Sequence, residues 1–244
     1  MDVPRASGIL LHPSSLPGPH GIGDLGPAAI DFIDFLEASG TRLWQLLPLG
    51  PTGYGDSPYQ CFSSFAGNPY LISPAALRED GVLRDGDLES SPSFPDAAVD
   101  YGRVIPWKNA LLDTAFDRFR RSRSHAARDL RVALAAFRAE HAAWLEDFAL
   151  FMALKEVHDL RPWTGWDPAL RDRKPAALAR ARRRLARRID RHVFVQFVFF
   201  RQWTRLRSRA AAAGVQIIGD DPMYVAHDSS DEWSTRDKYR LCLL

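Results

Sequence analysis

Three short apolar runs, each followed by glycine, proline or polar residues, dominate the pattern of hydrophobic and polar positions along the chain. They cover residues 8–11, 43–47 and 215–218, and short apolar runs bounded by turn-forming residues predict buried β-strands. Between the first two runs, Ile30, Ile33 and Leu36 recur at helical spacing, and Gly40 supplies a helix stop. The start of the chain therefore predicts a parallel strand–helix–strand unit with a right-handed crossover.

The middle of the chain predicts helices. Apolar residues recur three and four positions apart between residues 107 and 160, and a further helix is predicted from residue 175 through residue 190. Residues 48–74 and 161–175 predict loops, and residues 79–100 predict a polar excursion with little core. The run "VFVQFVFF" has the residue types of a strand, but its flanks carry no turn signal, so we expect a buried helix. The whole pattern predicts an α/β fold with a helical insertion between the second and third strands.

Composition narrows the class of protein. The 244 residues carry 32 basic and 30 acidic side chains, a net charge of +2, which argues against a dedicated nucleic-acid binder. Cys61 and Cys242 are far apart and lack the spacing of metal ligands, which favours two free thiols in a reducing compartment. The chain has no apolar run of about 20 residues, as a membrane span needs, and no signal-peptide pattern. We expect a soluble, cytoplasmic protein.

Polar and aromatic loops follow all three predicted strands. Because parallel α/β folds place their functional loops at the carboxyl ends of the strands, we expect seven side chains to surround one pocket. These are His12, Ser14, Tyr54, Asp56, Ser57, Tyr59 and Asp220. Aromatic rings with acids and hydroxyls suit sugars, which offer a flat apolar face and hydroxyl groups.

Each of these residues, taken alone, has a structural alternative. His12 is typical of a hydrogen-bonded structural histidine, and Asp56 and Ser57 are typical turn formers. Asp220 is equally typical of a turn or helix cap, and the two tyrosines of ordinary packing at a sheet rim.

The sequence lacks the other common catalytic motifs. "GPHGIG" lacks the ending of a phosphate loop, no G-x-S-x-G elbow occurs, and no histidine pair has the spacing of a metal site.

Seven arginines are able to line a nucleic-acid-binding helix: Arg180, Arg182, Arg183, Arg184, Arg187, Arg188 and Arg191. The charge balance and the lack of interleaved aromatics favour a solvated helix face instead.

Five stretches, in order, resemble the N-terminal half of the 4-α-glucanotransferase family, whose members are also called amylomaltases or disproportionating enzymes. They are "SGILLHPSSLPGPHGIGDLG", "LWQLLPLGPTGYGDSPYQCFSSFAGNPYLI", "WTGWDPALRDRKP", "FVFFRQW" and "IIGDDPMYVAHDSSDEW". The resemblance implies a (β/α)8 TIM-type barrel with a large helical insertion. On this basis residues 1–78 form the first βαβ unit with the substrate loop. Residues 79–210 form a mainly helical subdomain, and residues 211–244 form the third barrel strand and the following, truncated loop.

The family resemblance also implies a function. It implies transfer of α-1,4-glucan segments between maltooligosaccharides in maltodextrin or glycogen metabolism, by a retaining double displacement without metal or organic cofactor. Tyr59 and Asp220 resemble contacts to the sugar next to the scissile bond, and Ser57 resembles a residue lining the same groove. Tyr54 and Tyr101 resemble a more distant aromatic platform for the glucan.

The catalytic carboxylates of the family are expected on later barrel strands, beyond residue 244, so we name no catalytic residue in this chain. The last residues, "TRDKYRLCLL", depart from the family pattern, and "GDDP" carries an extra acid. We therefore expect a truncated, inactive form. The alternatives are a non-catalytic glucan-binding fragment and nucleic-acid binding through the arginine block.

Overall fold

The computed structural model of the chain describes residues 5–222 and 225–235, with the side chain of Tyr54 excepted. The strands are β1 (Gly8–Leu10), β2 (Leu43–Gln45) and β3 (Gln216–Ile218). The helices in this part of the chain are α1 (Pro27–Ala38), α2 (Pro74–Glu79), α3 (Asp85–Glu89), α4 (Tyr101–Arg121), α5 (His125–Glu140), α6 (Ala142–Val157), α7 (Pro168–Arg171), α8 (Pro175–Arg184), α9 (Ala186–Ala212) and α10 (Ser230–Ser234). Over the described ranges, none of these helices has the length and apolar character needed to cross a bilayer.

The chain divides into two compact units. The first comprises residues 1–49, 68–130 and 198–221, and the second comprises residues 50–67, 131–197 and 222–244. Helices α5 and α9 each contribute to both units. The three predicted sequence segments described above stay a prediction.

The first unit contains a parallel sheet with the strand order β1-β2-β3. Ile9 pairs with Trp44, and Trp44 pairs with Ile217. Trp44 is fully buried, and its indole Nε1 donates to the carbonyl of Leu11 at 2.8 Å. The parallel strands predicted from the apolar runs are confirmed, as is the α/β class, although each strand covers only part of its run.

Helix α1 connects the first two strands, as predicted. Pro27 occupies its first turn, where a missing N–H costs nothing, and Ile33 and Leu36 are buried. Gly40 follows with a φ of +71°, a conformation that glycine adopts without strain.

The run of apolar residues at 193–200 is helical, as predicted, because it lies inside α9. Residues 192–199 are all buried. Since a helix turns its side chains in every direction, this stretch is buried on all sides, which explains why its pattern shows no polar face.

Two expectations were wrong in detail. Residues 161–175 are not simply a loop, because they contain a 3-10 turn (Trp163–Gly165) and α7, which Asp167 caps by accepting from the amide of Ala169 at 2.8 Å. The helix predicted across 175–190 is two helices, since the backbone of Leu185 leaves helical values at φ −105° and ψ 14°. The segment 79–100 has little core, as predicted: only Val82 and Leu83 are buried, beyond a reversal at Gly81.

Candidate functional site

The loop that follows β2 in sequence supplies the central candidate site residues. Its residues 50–67, called the 50–67 loop below, belong to the second unit. Thr52 and Cys61 form an antiparallel bridge, and the amide of Gly53 donates to the carbonyl of Gln60 at 2.7 Å. These bonds close the loop into a tip of residues 53–60.

The tip is a tight turn with two residues in left-handed conformations. Gly55 has a φ of +67° and Asp56 a φ of +53°. Glycine adopts this conformation freely, and aspartate tolerates it better than most residues. Asp56 is therefore a turn former, the structural alternative identified in the sequence.

Tyr59 and Ser57 lie on this tip. The side chain of Tyr59 is 44% exposed, and its amide donates to Ser57 Oγ at 3.3 Å. The carbonyl of Ser57 accepts from the amide of Gln60 at 3.1 Å. The turn thus fixes the backbone that presents a partly exposed aromatic ring. Tyr54 begins the 3-10 turn Tyr54–Asp56, and its side chain lies outside the described part of the structure.

The other predicted site residues belong to the first unit. Asp220 is half-buried and follows β3 by two positions, and Tyr101 is the first residue of α4, next to the capping residue Asp100. Strand β3 thus places Asp220, and α4 places Tyr101. The shared pocket that the sequence predicts for Tyr59, Ser57 and Asp220 stays a prediction.

His12 and Ser14 are brought together after β1. The Nδ1 atom of His12 lies 2.7 Å from Ser14 Oγ and accepts from the amide of Ser14 at 3.3 Å. Burial lowers the pKa of His12, so its imidazole is neutral near pH 7. These bonds cap the 3-10 turn Pro13–Ser15, the role expected of a structural histidine.

A cavity of about 750 Å³ lies beside this turn, between residues 14–23 and residues 92–99. Its walls are mostly glycine, proline and alanine, and of the predicted pocket residues only Ser14 lines it. Within the described ranges, no cluster of three or more histidine, cysteine or acidic side chains is arranged to hold a metal ion.

Two of the lysines that the structure describes are buried, one in each unit. Lys108 Nζ donates to the carbonyl of Ile72 at 2.7 Å and lies 3.8 Å from Asp24 Oδ2. Burial lowers the pKa of Lys108 to about 8, although the nearby Asp24 carboxylate acts in the opposite direction. In the second unit, Lys155 Nζ binds Asp228 and the carbonyls of Leu160 and Arg161.

Asp231, in α10, contacts the 50–67 loop, a contact that the sequence did not reveal. Its Oδ1 accepts from Ser63 Oγ at 3.1 Å and its Oδ2 accepts from the amide of Ser64 at 2.6 Å. The motif "DSSDEW" contributed to the family resemblance, but no residue type or spacing in it points to a loop some 170 positions earlier.

Three of the seven residues of the arginine block lie within ion-pair distance of acids of the second unit. Arg182 binds Asp147, and Arg188 and Arg191 lie within ion-pair distance of Glu156. Burial alone raises the pKa of Glu156, but His192, Arg188 and Arg191 together lower it to about 2.

Comparisons with known proteins decide the family. The model of the family described as 4-alpha-glucanotransferase matches residues 11–243. This chain belongs to the 4-alpha-glucanotransferase family. It is 51% identical over 241 residues to the 4-alpha-glucanotransferase of Thermus thermophilus, covering 99% of this chain and 47% of that protein. It is 45% identical to the 4-alpha-glucanotransferase of Synechocystis sp. over 97% of this chain and 46% of that protein.

The fold agrees with two solved amylomaltase structures. Amylomaltase from Streptococcus agalactiae, solved in complex with acarbose, superposes with a TM-score of 0.91 at 38% identity, covering 98% of this chain and 48% of that one. Amylomaltase from Corynebacterium glutamicum shares the fold, with a TM-score of 0.73 at 17% identity over 95% of this chain and 32% of that one. The chain thus spans about half the length of the curated relatives it matches.

Proposed function

We propose that the protein to which this chain corresponds is a 4-α-glucanotransferase that moves α-1,4-glucan segments between maltooligosaccharides. Membership of the family supports this proposal, as does the close structural relative that binds acarbose. A cytoplasmic location, close to soluble maltodextrin or glycogen, is part of the same proposal.

The reaction is a retaining double displacement. A carboxylate attacks the anomeric carbon and forms a covalent glycosyl-enzyme, while a carboxylic acid donates its proton to the glycosidic oxygen. The bond between this oxygen and the anomeric carbon breaks, and the leaving glucan departs with a free 4-hydroxyl group. The 4-hydroxyl group of a second glucan then attacks the same carbon, and the bond between that carbon and the enzyme breaks, which frees the attacking carboxylate. The proton of this hydroxyl goes to the second carboxyl group, which lost its own in the first step, so the enzyme is restored. We infer that the catalytic carboxylates lie outside these 244 residues, on later strands of a (β/α)8 barrel, so this chain alone binds and orients glucan without transferring it.

Tyr59 is the residue on which the binding role chiefly depends. An aromatic ring that is 44% exposed on a hydrogen-bonded turn is suited to pack on the apolar face of a glucose unit, because the turn limits the motion that binding must freeze. Ser57 and Asp220 supply hydroxyl and carboxylate groups for the hydroxyls of the sugar. Tyr54 and Tyr101 extend the contact to more distant glucose units.

A titration with maltoheptaose, followed by calorimetry, tests the binding role. Tyr59→Ala should weaken binding by roughly threefold to tenfold, the effect of losing one aromatic contact. Phe65→Ala is the matched control, because Phe65 is an exposed aromatic of the same loop that packs on Trp144. Equal losses in both variants, or no binding by the wild-type chain, would count against the assignment.

Incubation with maltotriose tests transfer. We expect neither glucose nor longer maltooligosaccharides from the 244-residue chain. Their appearance together would show that this chain transfers glucan and would refute its inactivity. A chain that binds maltoheptaose without transfer would match the fragment alternative.

A further inference from the structure

We propose that Asp231 is a positioning residue that holds the 50–67 loop in the conformation that binds glucan. The inference rests on the proposed function for its glucan part, but the contacts that carry it are independent of that function. All of them lie within the second unit.

The bonds between α10 and the loop occur at three consecutive residues. The carbonyl of Phe62 accepts from the amide of Ser230 at 2.8 Å. Ser63 Oγ and the amide of Ser64 each donate to one oxygen of the Asp231 carboxylate, at 3.1 Å and 2.6 Å. Residues 62–64 directly follow Cys61, which forms the bridge at the base of the tip. Holding residues 62–64 in place therefore also holds the base of the tip.

The Asp231 carboxylate is well suited to this role. Its residue is only 8% exposed, and hydrogen bonds to a charged acceptor in a buried place are stronger than neutral ones. Because each oxygen has a different donor, the carboxylate specifies both the position and the orientation of the segment. An asparagine at this position would keep one acceptor and present an N–H₂ group to one of the two donors.

A second anchor lies at the end of the loop. Gln196 Oε1 accepts from the amide of Gly67 at 2.7 Å, and Gln196 Nε2 donates to the carbonyl of Gly67 at 2.9 Å. The side-chain amide of Gln196 therefore makes two hydrogen bonds to the backbone of Gly67, as a residue of a neighbouring strand would. Gln196 lies in the buried stretch of α9. The loop is held at both Phe62–Ser64 and Gly67, while Ser57 and Tyr59 lie on the tip.

Helix α10 is itself held in place, so it is a firm support. Ser229 caps it by accepting from the amide of Glu232 at 3.2 Å. Trp233 Nε1 donates to the carbonyl of Leu170 at 3.2 Å, and the Arg173 guanidinium lies 4.3 Å from the centre of the Trp233 ring. A helix of five residues has little stability of its own, so these contacts keep Asp231 in place.

Hydrogen exchange of the 244-residue chain tests the anchoring directly. In Asp231→Asn, amides of residues 62–66 should exchange about tenfold or more faster than in the wild type, because a charge-assisted hydrogen bond is lost. Asp190→Asn is the matched control: it makes the same chemical change in the same unit, where Asp190 accepts from Arg138 Nη1 at 3.0 Å rather than from the loop. Unchanged exchange in Asp231→Asn would overturn the proposal.

Ser63 provides a second pair of variants if Asp231→Asn does not fold. Ser63→Ala removes one donor to Asp231 and should also speed exchange of the Ser64 amide, which bonds to Asp231 and not to the Ser63 hydroxyl. Ser63→Thr keeps a hydroxyl group and should restore this protection. Failure of threonine to restore what alanine loses would contradict a role for the hydroxyl bond.

Binding separates positioning from simple structural support. With maltoheptaose as the probe, Asp231→Asn should bind about threefold to tenfold more weakly, whereas Asp190→Asn should match the wild type. Faster exchange with unchanged affinity would show that Asp231 supports the loop without positioning it for sugar, and would overturn the proposal. If the wild-type chain binds no maltoheptaose, the proposed glucan role fails, and the exchange result alone decides whether Asp231 anchors the loop.

Discussion

Lys155 and Asp228 form an ion pair in which the lysine side chain is 1% exposed and the aspartate side chain 30% exposed. The same ammonium group donates to the carbonyls of Leu160 and Arg161, at 2.6 Å and 3.1 Å. Since an ammonium group has three protons, all of its donors are satisfied. The carboxylate also accepts from the amide of Trp163 at 3.2 Å. One buried lysine thus ties the end of α6 to the segment before α10.

Lys155→Met should lower the free energy of unfolding by about 2–4 kcal/mol, because it leaves Asp228 and two carbonyls without their shared donor. Urea unfolding at neutral pH measures the effect. Lys174→Met is the control: Lys174 is exposed, so its replacement should change stability by about 0.5 kcal/mol or less. Equal stabilities of the two variants would contradict a structural role for Lys155.

Lys108 should make stability rise with pH. Its pKa is about 8 in the folded chain against 10.5 for the ordinary value, so between these pH values the unfolded chain holds a proton that the folded chain has released. The free energy of unfolding therefore increases across this window, by about 3 kcal/mol from this group alone. Below pH 8 the Lys108 amine is protonated in both the folded and the unfolded chain, so the folded chain bears the full cost of burying its charge.

Urea unfolding between pH values of about 7.5 and 10.5 checks this, with Lys108→Met as the comparison because other groups titrate in the same range. The wild type should gain stability relative to Lys108→Met as pH rises. A constant difference between the two proteins would exclude the shifted titration.

Gly23→Ala should strongly destabilise the first unit. A Cβ atom at Gly23 would lie 2.1 Å from the carbonyl oxygen of Pro13, and the backbone has no room to move because the Gly23 amide donates to the carbonyl of Ser14 at 3.0 Å. We expect a loss of about 2 kcal/mol or more, as for other overpacked sites.

The control for that substitution is Gly86→Ala in α3. A Cβ atom at Gly86 meets nothing within 4 Å, and alanine favours a helix by about 1 kcal/mol over glycine. Thermal unfolding should therefore show opposite shifts for the two variants. A shift of the same sign in both would refute the close-approach explanation.

The hydrogen-bonded fold was predictable from sequence only where contacts are local. The apolar runs and the stop at Gly40 predicted β1, α1 and β2 because strand and helix periods appear within about ten residues. The break at Leu185 was not predictable, since a buried leucine fits the pattern of a continuous helix. The pairing of Arg182 with Asp147 and of Arg188 with Glu156 depends on how helices pack, which no charge count contains.

The candidate site was predictable to a similar extent. The residue types at the tip of the 50–67 loop pointed to sugar binding, and the turn around Asp56 was expected from composition. The anchors were not, because Asp231 and Gln196 reach the loop across more than 120 positions of sequence. A single sequence does not reveal that an acid is buried and accepts hydrogen bonds from two different donors.

Cys61 should react slowly with thiol reagents in the folded chain. It is buried, and burial raises the pKa of its thiol, so little of the reactive thiolate is present near pH 8. In a Cys242→Ser background, colorimetric titration with a disulfide reagent should show slow labelling in buffer and complete, fast labelling in urea. Fast stoichiometric labelling of the folded protein would contradict this prediction.

The parallel sheet also sets the order in which the chain acquires its structure. Leu43 pairs with Gln216, about 170 positions later, whereas Gly8 pairs with Leu43 only about 35 positions away. Closing the longer loop costs more chain entropy, and distant pairings slow folding. A ribosome adds about 5–20 residues per second, so β3 is synthesised roughly ten seconds or more after β2. During that interval the edge of β2 that later pairs with β3 has unpaired backbone N–H and C=O groups, and this is when the nascent chain has most need of a chaperone.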